Sequence, residues 1–377
     1  MKNRTMLLVV ALLAVLAVGG YAAHAQAVLT LPSGNVSIGV GSLGSLGSCV
    51  ESCASQTPAP GTPVLPAGSN VTSPYIGDSG DLAGEPYGIY LASQNADSVT
   101  PGCFCEGWGA AYNGSTSGYA SNAYGVGGSI SEASFATNAP LNGAGTTATS
   151  VTNIGSLQVT QAYAPATNTA GAGGGTNNWL FEDTVTLDNT SGSTMTDVEY
   201  ARSTDWDINP TEFHEIETLG GWPATQLTWS TNNGFCADDP LAIEGDCNSI
   251  DGSWTDTNFV QNVSVDQGSS FLFDFGSLGA GDSTTFDIFY GAADDNADAV
   301  AALGDVGAEV YVLGYAADGP DDTANLNSGT WMFGFAGVGG TPLPPTSAVP
   351  EPSSLVLLGT SLLSLGGMLR YRLGKKA

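Results

Sequence analysis

Between residues 26 and 349 the sequence has no lysine, a single arginine, Arg202, and a single histidine, His214. The other six basic residues lie before residue 25 or after residue 369, while Glu351 is the one acidic residue outside the same stretch, so 35 carboxylates face one guanidinium. Such a body repels nucleic acid, anionic lipid and acidic polysaccharide and attracts divalent cations or basic partners, which excludes a nucleic-acid role. Self-repulsion that keeps a surface protein soluble is the plain reading of the charge. Histidine-rich metal centres are excluded by count. A Ser-His-Asp triad would depend on His214, and no Gly-x-Ser-x-Gly elbow before a helix supports one.

Long apolar runs stand at the two ends. Lys2 and Arg4 precede the apolar run Met6 to Gly19, and Ala23-His24-Ala25 offers small side chains at the spacing of a signal-peptidase site, so residues 1–25 read as a signal peptide. At the other end, residues 339–352 form a Pro-rich stalk that ends in Val349, Pro350, Glu351 and Pro352. Residues 353–369 then carry no charge, and 370–377 hold Arg370, Arg372, Lys375 and Lys376. As a helix the uncharged stretch covers roughly 25 Å, enough to cross a bilayer when the basic side chains snorkel. The basic tail stays in the cytoplasm and the body outside.

Val349-Pro350-Glu351-Pro352-Ser353-Ser354-Leu355, followed by an apolar helix and an Arg/Lys tail, resembles the PEP-CTERM sorting signal. The resemblance implies a Gram-negative host, an exosortase-type enzyme that processes the signal, and a passage from a membrane-anchored intermediate to the cell surface or an extracellular polysaccharide layer. A second similarity covers most of residues 177–340. It rests on Asp205-Trp206-Asp207-Ile208-Asn209-Pro210-Thr211-Glu212-Phe213, Phe289-Tyr290-Gly291-Ala292-Ala293, Val306-Gly307-Ala308-Glu309-Val310-Tyr311 and Phe333 to Gly340, which look like an uncharacterised β-rich domain of exported surface proteins.

Six cysteines in an oxidising compartment predict disulfides. Cys236 and Cys247 close a loop staple worth about 3 kcal/mol. Cys49, Cys53, Cys103 and Cys105 pair locally or across; crossing is favoured because a Cys-x-Cys ring is strained.

The body divides by composition into a Gly/Ser/Asn-rich β region at 26–163, a linker or long loop at 164–177, and an acidic β-sandwich domain at 178–338. Period-two alternation supports the strands: Trp179, Phe181, Val185, Leu187; Val198, Tyr200, Trp206, Ile208; Phe271, Phe273, Phe275; Phe286, Ile288, Tyr290; Trp331, Phe333, Phe335. Asn189 to Gly192 reads as a hairpin turn, and a short helix runs near 294–303 between Asp294 or Asp295 and Gly304. The predicted fold is all-β, one large β-sandwich or two consecutive ones, with that helix and a C-terminal transmembrane helix.

Asp205, Asp207 and Asn209 occupy the first three oxygen positions of a calcium loop, and a site completed by Glu212, Glu215 or Glu217 is the alternative to a plain acidic strand end. The match to an EF-hand fails, because Pro210 and Ile216 stand where Gly and a bidentate Glu belong. No cofactor is expected, and calcium is the alternative that these oxygens admit. Arg202 is expected to pair with a neighbouring carboxylate such as Glu199, Asp205 or one across the sheet, and Trp222 and Trp254 to be exposed. No catalytic residue is expected. The expected function is a non-catalytic surface or matrix protein; next comes a calcium-dependent carbohydrate-binding or adhesive module, and last a secreted glycosidase, which would need two facing carboxylates.

Overall fold

The computed structural model describes residues 26–46, 88–99, 106–121, 125–140, 144–245, 247, 250, 252–317 and 323–345. The signal peptide, Cys49, Cys53, Cys103 and Cys105, the sorting motif Val349 to Pro352, the transmembrane segment and the basic tail lie outside them. Among the described residues no helix is long and apolar enough to cross a membrane.

The described residues form three antiparallel sheets. The largest has the order β13 (Glu215–Gly220), β17 (Val310–Ala316), β18 (Thr330–Ala336), β16 (Ser283–Ala293), β11 (Thr176–Asn189), β10 (Leu157–Thr167), β9 (Ala148–Ile154), β8 (Ile130–Thr137). Facing it is a sheet in the order β14 (Leu227–Thr231), β15 (Gly268–Asp274), β12 (Glu199–Asp205), β5 (Glu106–Tyr112), β6 (Thr116–Ser121), β7 (Gly125–Gly128). A small sheet of β1 (Gln26–Thr30), β2 (Val36–Gly41), β3 (Ile89–Leu91) and β4 (Ala96–Asp97) packs against β11 and β16 of the largest sheet, and every residue of β2 is buried.

The two compositional halves share one sandwich. Strand β5 pairs with β12, and β10 pairs with β11 from Leu157↔Asn189 to Pro165↔Phe181. Residues 164–177 are therefore the end of β10, a single 3-10 turn at Ala170–Ala172, and the start of β11, a connection within one sheet and not a divider between domains. Ala166 is fully buried, so the strand outlasts its large side chains.

Period two sorts side chains onto two faces, and the inner aromatics of the facing sheets meet. Phe271 and Phe273 each lie 4.9 Å from Phe335, Tyr200 lies 5.1 Å from Phe286, and Trp206 lies 5.3 Å from Phe333, between ring centroids. Asn189 to Gly192 is not a hairpin turn, because β11 and β12 belong to different sheets. Buried Asn189 instead donates its side-chain amide to the carbonyls of Ser193, Leu278 and Gly279, tying together the two crossovers between sheets.

The helix α1 is Asn296–Val306. Asp295 caps it by accepting the Asp298 N–H, and Gly307, in the left-handed region at φ 73°, ends it. The expected stop at Gly304 is inside the helix, where a Cβ would lie 2.5 Å from the Pro344 carbonyl oxygen. That close approach is part of a further correction. Residues 339–345 belong to the body: Thr225 N–H donates to Gly339 O at 3.2 Å, Gly340 N–H to Glu309 Oε2 at 3.0 Å, and Leu343 N–H to Ala308 O at 2.8 Å.

At the centre sits Arg202, fully buried and ion-paired with Glu106 of the neighbouring strand, the across-the-sheet partner that was one of the expected choices. Its Nη1 donates to Gln161 Oε1 at 2.9 Å, to Tyr200 OH at 3.2 Å and to Gly44 O at 3.3 Å, and its guanidinium carbon is 5.1 Å from the Tyr290 ring centroid. Around it the loop after β2 is gripped through its backbone. Tyr163 OH donates to Gly44 O and Trp108 Nε1–H to Leu43 O, both at 2.7 Å, while Leu46 N–H donates to Glu106 Oε2 at 2.6 Å. The Cys236–Cys247 disulfide forms as expected. Its loop lies flat on the outer face of β5, where Gly107 and Gly109 leave room: a Cβ on Gly109 would be 2.0 Å from Asp238 O.

Removing one member of a buried ion pair strands the other, at a cost of about 3–5 kcal/mol. Arg202→Met is expected to lower unfolding stability by that order in urea titration at pH 7, far more than Arg202→Met combined with Glu106→Leu. Equal losses in the two variants would show that the charge pair is not what the core depends on.

Candidate metal centre

The acidic stretch after β12 lies at one end of the sandwich. Asp205 is the last residue of β12, and Asp207 follows at the spacing that returns a side chain to the same side. β15 runs antiparallel to β12 with Gly268 opposite Asp205, so Asp266, two residues before Gly268, is delivered to the same end. One carboxylate oxygen from each of Asp205, Asp207 and Asp266 lies within 4.8 Å of the others. Asp205 is 2% exposed and Asp207 fully buried; Asp266 is half-buried, so the group opens to solvent only on the Asp266 side. The backbone supports the placement, with Asp207 N–H donating to Ser98 O at 2.8 Å and Trp206 N–H to Gln267 O at 3.1 Å.

Edge strand β13 adds Glu215 and Glu217, both fully buried and two residues apart. Glu215 Oε1 accepts the backbone N–H groups of Ile208 at 3.1 Å and Phe213 at 2.8 Å, which closes the loop between them. Among the described residues no hydrogen-bond donor reaches Glu215 Oε2, nor the solvent-shielded Oδ1 of Asp266. Glu217 accepts the Ser269 hydroxyl at 3.0 Å.

Burial raises the Asp205 pKa well above the carboxylate range, and the charges of Asp207 and Asp266 raise it further. Burial and the Asp205 charge do the same to Glu215. Burial also holds Glu217 up, against the hydrogen bonds of Ser269 and Trp206. Burial raises Asp266 too, opposed by nearby His214. Two unit charges at this separation repel by on the order of 3 kcal/mol at an effective dielectric of about 20. The one arginine of the body is committed to Glu106. A divalent cation would balance the group, and an all-oxygen donor set suits a hard one.

The expected ligands divide. Asp205 and Asp207 come together, and the third carboxylate is Asp266, from a strand sixty residues along the chain. Glu212 is buried but outside the triad, and Asn209 is half-buried before Pro210. Pairing of β12 with β15 recruits Asp266, and no local spacing signals it. Trp206 is fully buried and Trp222 half-buried, while Trp254 is 40% exposed.

Further buried carboxylates surround Arg202. Burial pushes Asp183 up to about 8, Glu106 to about 7 and Asp238 to about 7, with Arg202 opposing in each case. On the outer face, burial and the charge of Asp274, directly opposite across the strands, push Glu199 to about 7. No protein-family model matches the chain, and no curated protein matches it.

The folded pKa values of Glu106, Asp183, Glu199 and Asp238 lie above the unfolded value of roughly 4. Between the two, the folded state binds more protons, so stability falls as pH rises. The melting temperature in EDTA is expected to be higher at pH 5 than at pH 8. A flat or rising profile over that range would contradict these shifts.

Proposed function

We propose that the chain is a non-catalytic, exported surface module completed by calcium bound at Asp205, Asp207 and Asp266. The observation that carries the reading is the convergence of these three carboxylates at the end of a sandwich whose one arginine is committed elsewhere. Calcium accepts six to eight oxygens in flexible geometry, whereas magnesium demands a near-ideal octahedron and keeps several waters. A recessed set of carboxylates with one open side suits calcium better. Glu215, whose Oε2 accepts no hydrogen bond among the described residues and which feels the Asp205 charge, would be a further oxygen donor. Its backbone contacts would couple the ion to the 208–215 loop.

The display of the module follows from its ends. The N-terminal signal would export it, and the Val349-Pro350-Glu351-Pro352 signal with its apolar helix and basic tail would present it to an exosortase-type enzyme at the membrane. Residues 339–345 dock on the body.

The test is the melting temperature of the exported chain, disulfides intact, in EDTA and in millimolar calcium. Calcium at about a hundred times its dissociation constant stabilises by about 2.7 kcal/mol, a rise of several degrees. Asp207→Ala is expected to abolish the rise, and Asp188→Ala, outside the cluster, to keep it. A rise that magnesium reproduces in full would mean charge screening and sink the site.

A further inference from the structure

We propose that the surface beside Asp266 binds an uncharged glycan, whose vicinal hydroxyls complete the calcium shell while Trp254 stacks on a sugar ring. The inference rests on the calcium reading above and names the ligand class of that site.

Three observations lead to it. Asp266 is the one triad member that reaches solvent, so coordination positions left open by the protein face outward at Asp266. Three carboxylates around a divalent ion leave a formal charge of −1, in a body that is strongly anionic throughout. An anionic ligand is repelled there, and neutral hydroxyl oxygens are hard donors that calcium accepts.

The third observation is an apolar rim. Trp254 is 40% exposed, Val260 75%, Val263 47% and Phe213 48%, four of the seven exposed large hydrophobic residues among the described ones, and all four lie on the segments that flank β13. Their backbone is tied to the sheet. The 259–265 segment is bonded along β13, with Phe259 N–H donating to Leu219 O and Asn262 N–H to Glu217 O at 3.0 Å, and Val265 N–H to Glu215 O at 3.2 Å. Trp254 stacks at a tilt on Phe259, 5.4 Å between centroids. Its backbone N–H donates to Asn232 Oδ1 at 2.6 Å, and Asn232 Nδ2 donates to the side chain of Gln267, the residue after Asp266, at 2.8 Å. Phe213 adjoins His214, whose carbonyl accepts the Ser264 hydroxyl at 3.2 Å. An apolar ring face beside hydroxyl-seeking calcium matches the two sides of a pyranose, its C–H face and its hydroxyl edge.

The exported chain would be run by affinity electrophoresis through gels containing mannan, galactan or dextran, with polygalacturonate as the anionic comparison, in calcium and in EDTA. Expected is retardation by at least one neutral polysaccharide in calcium only, weakened at least tenfold by Trp254→Ala and lost in Asp266→Asn. Trp254→Ala should retain its calcium-dependent rise in melting temperature, which shows that it is folded and loaded, and Val260→Ser should weaken retardation less. Three results would overturn the inference. One is a calcium-dependent melting shift without retardation by any neutral polymer. Another is retardation unchanged by Trp254→Ala, and the third is stronger retardation by polygalacturonate. Loss of the melting shift itself would remove the calcium reading and this inference with it.

Discussion

One guanidinium holds the three sheets together. Arg202 projects from β12 into an interior that also receives Glu106, Gln161, Tyr163, Asp183, Tyr200 and Tyr290, and through Gly44 it reaches the loop that follows β2 of the small sheet. A buried charge is tolerable only when paired and hydrogen-bonded, so the strands that supply its partners must sit where they do. Glu106 in turn accepts the Leu46 N–H, and Tyr163 and Trp108 take hold of the neighbouring carbonyls. A chain segment otherwise free to peel away is thus anchored by its backbone to side chains from both large sheets.

The acid surplus is distributed in two ways. Near Arg202, Asp183 and Asp238 are held towards their neutral forms by burial while the guanidinium opposes them. At the far end of β12 no guanidinium is available, and Asp205, Asp207 and Asp266 gather with Glu215 and Glu217 behind them. The same strand therefore carries the solution to one buried charge at Arg202 and the demand for another three residues later. Burial is what separates this group from the many carboxylates on the surface, because desolvation makes an unbalanced charge costly where water would otherwise screen it.

Much of the fold was legible in the residue pattern. Alternation located β11, β12, β15, β16 and β18, and the capping residue Asp295 placed the helix start. Errors fell where a local signal has two tertiary readings. Polar turn residues at Asn189 to Gly192 suit a hairpin and a crossover equally, and a Gly can lie inside a helix when another segment, here Pro344, needs the space. Asp183 interrupts the apolar face of β11 between Phe181 and Val185, a polar break that marks the interior around Arg202 and not the surface.

Composition and order along the chain determined by themselves the all-β class, the excess of acid, the solitary Arg202 and the Cys236–Cys247 staple, because each follows from residue type, period-two spacing or closeness in sequence. Only the tertiary structure decided that the two halves form a single sandwich, that Arg202 pairs with Glu106, and that Asp266 joins Asp205 and Asp207. Each of these depends on which strands lie side by side. Strand neighbours are chosen by burial of whole faces across long separations, so the partner of a given carboxylate is not written beside it.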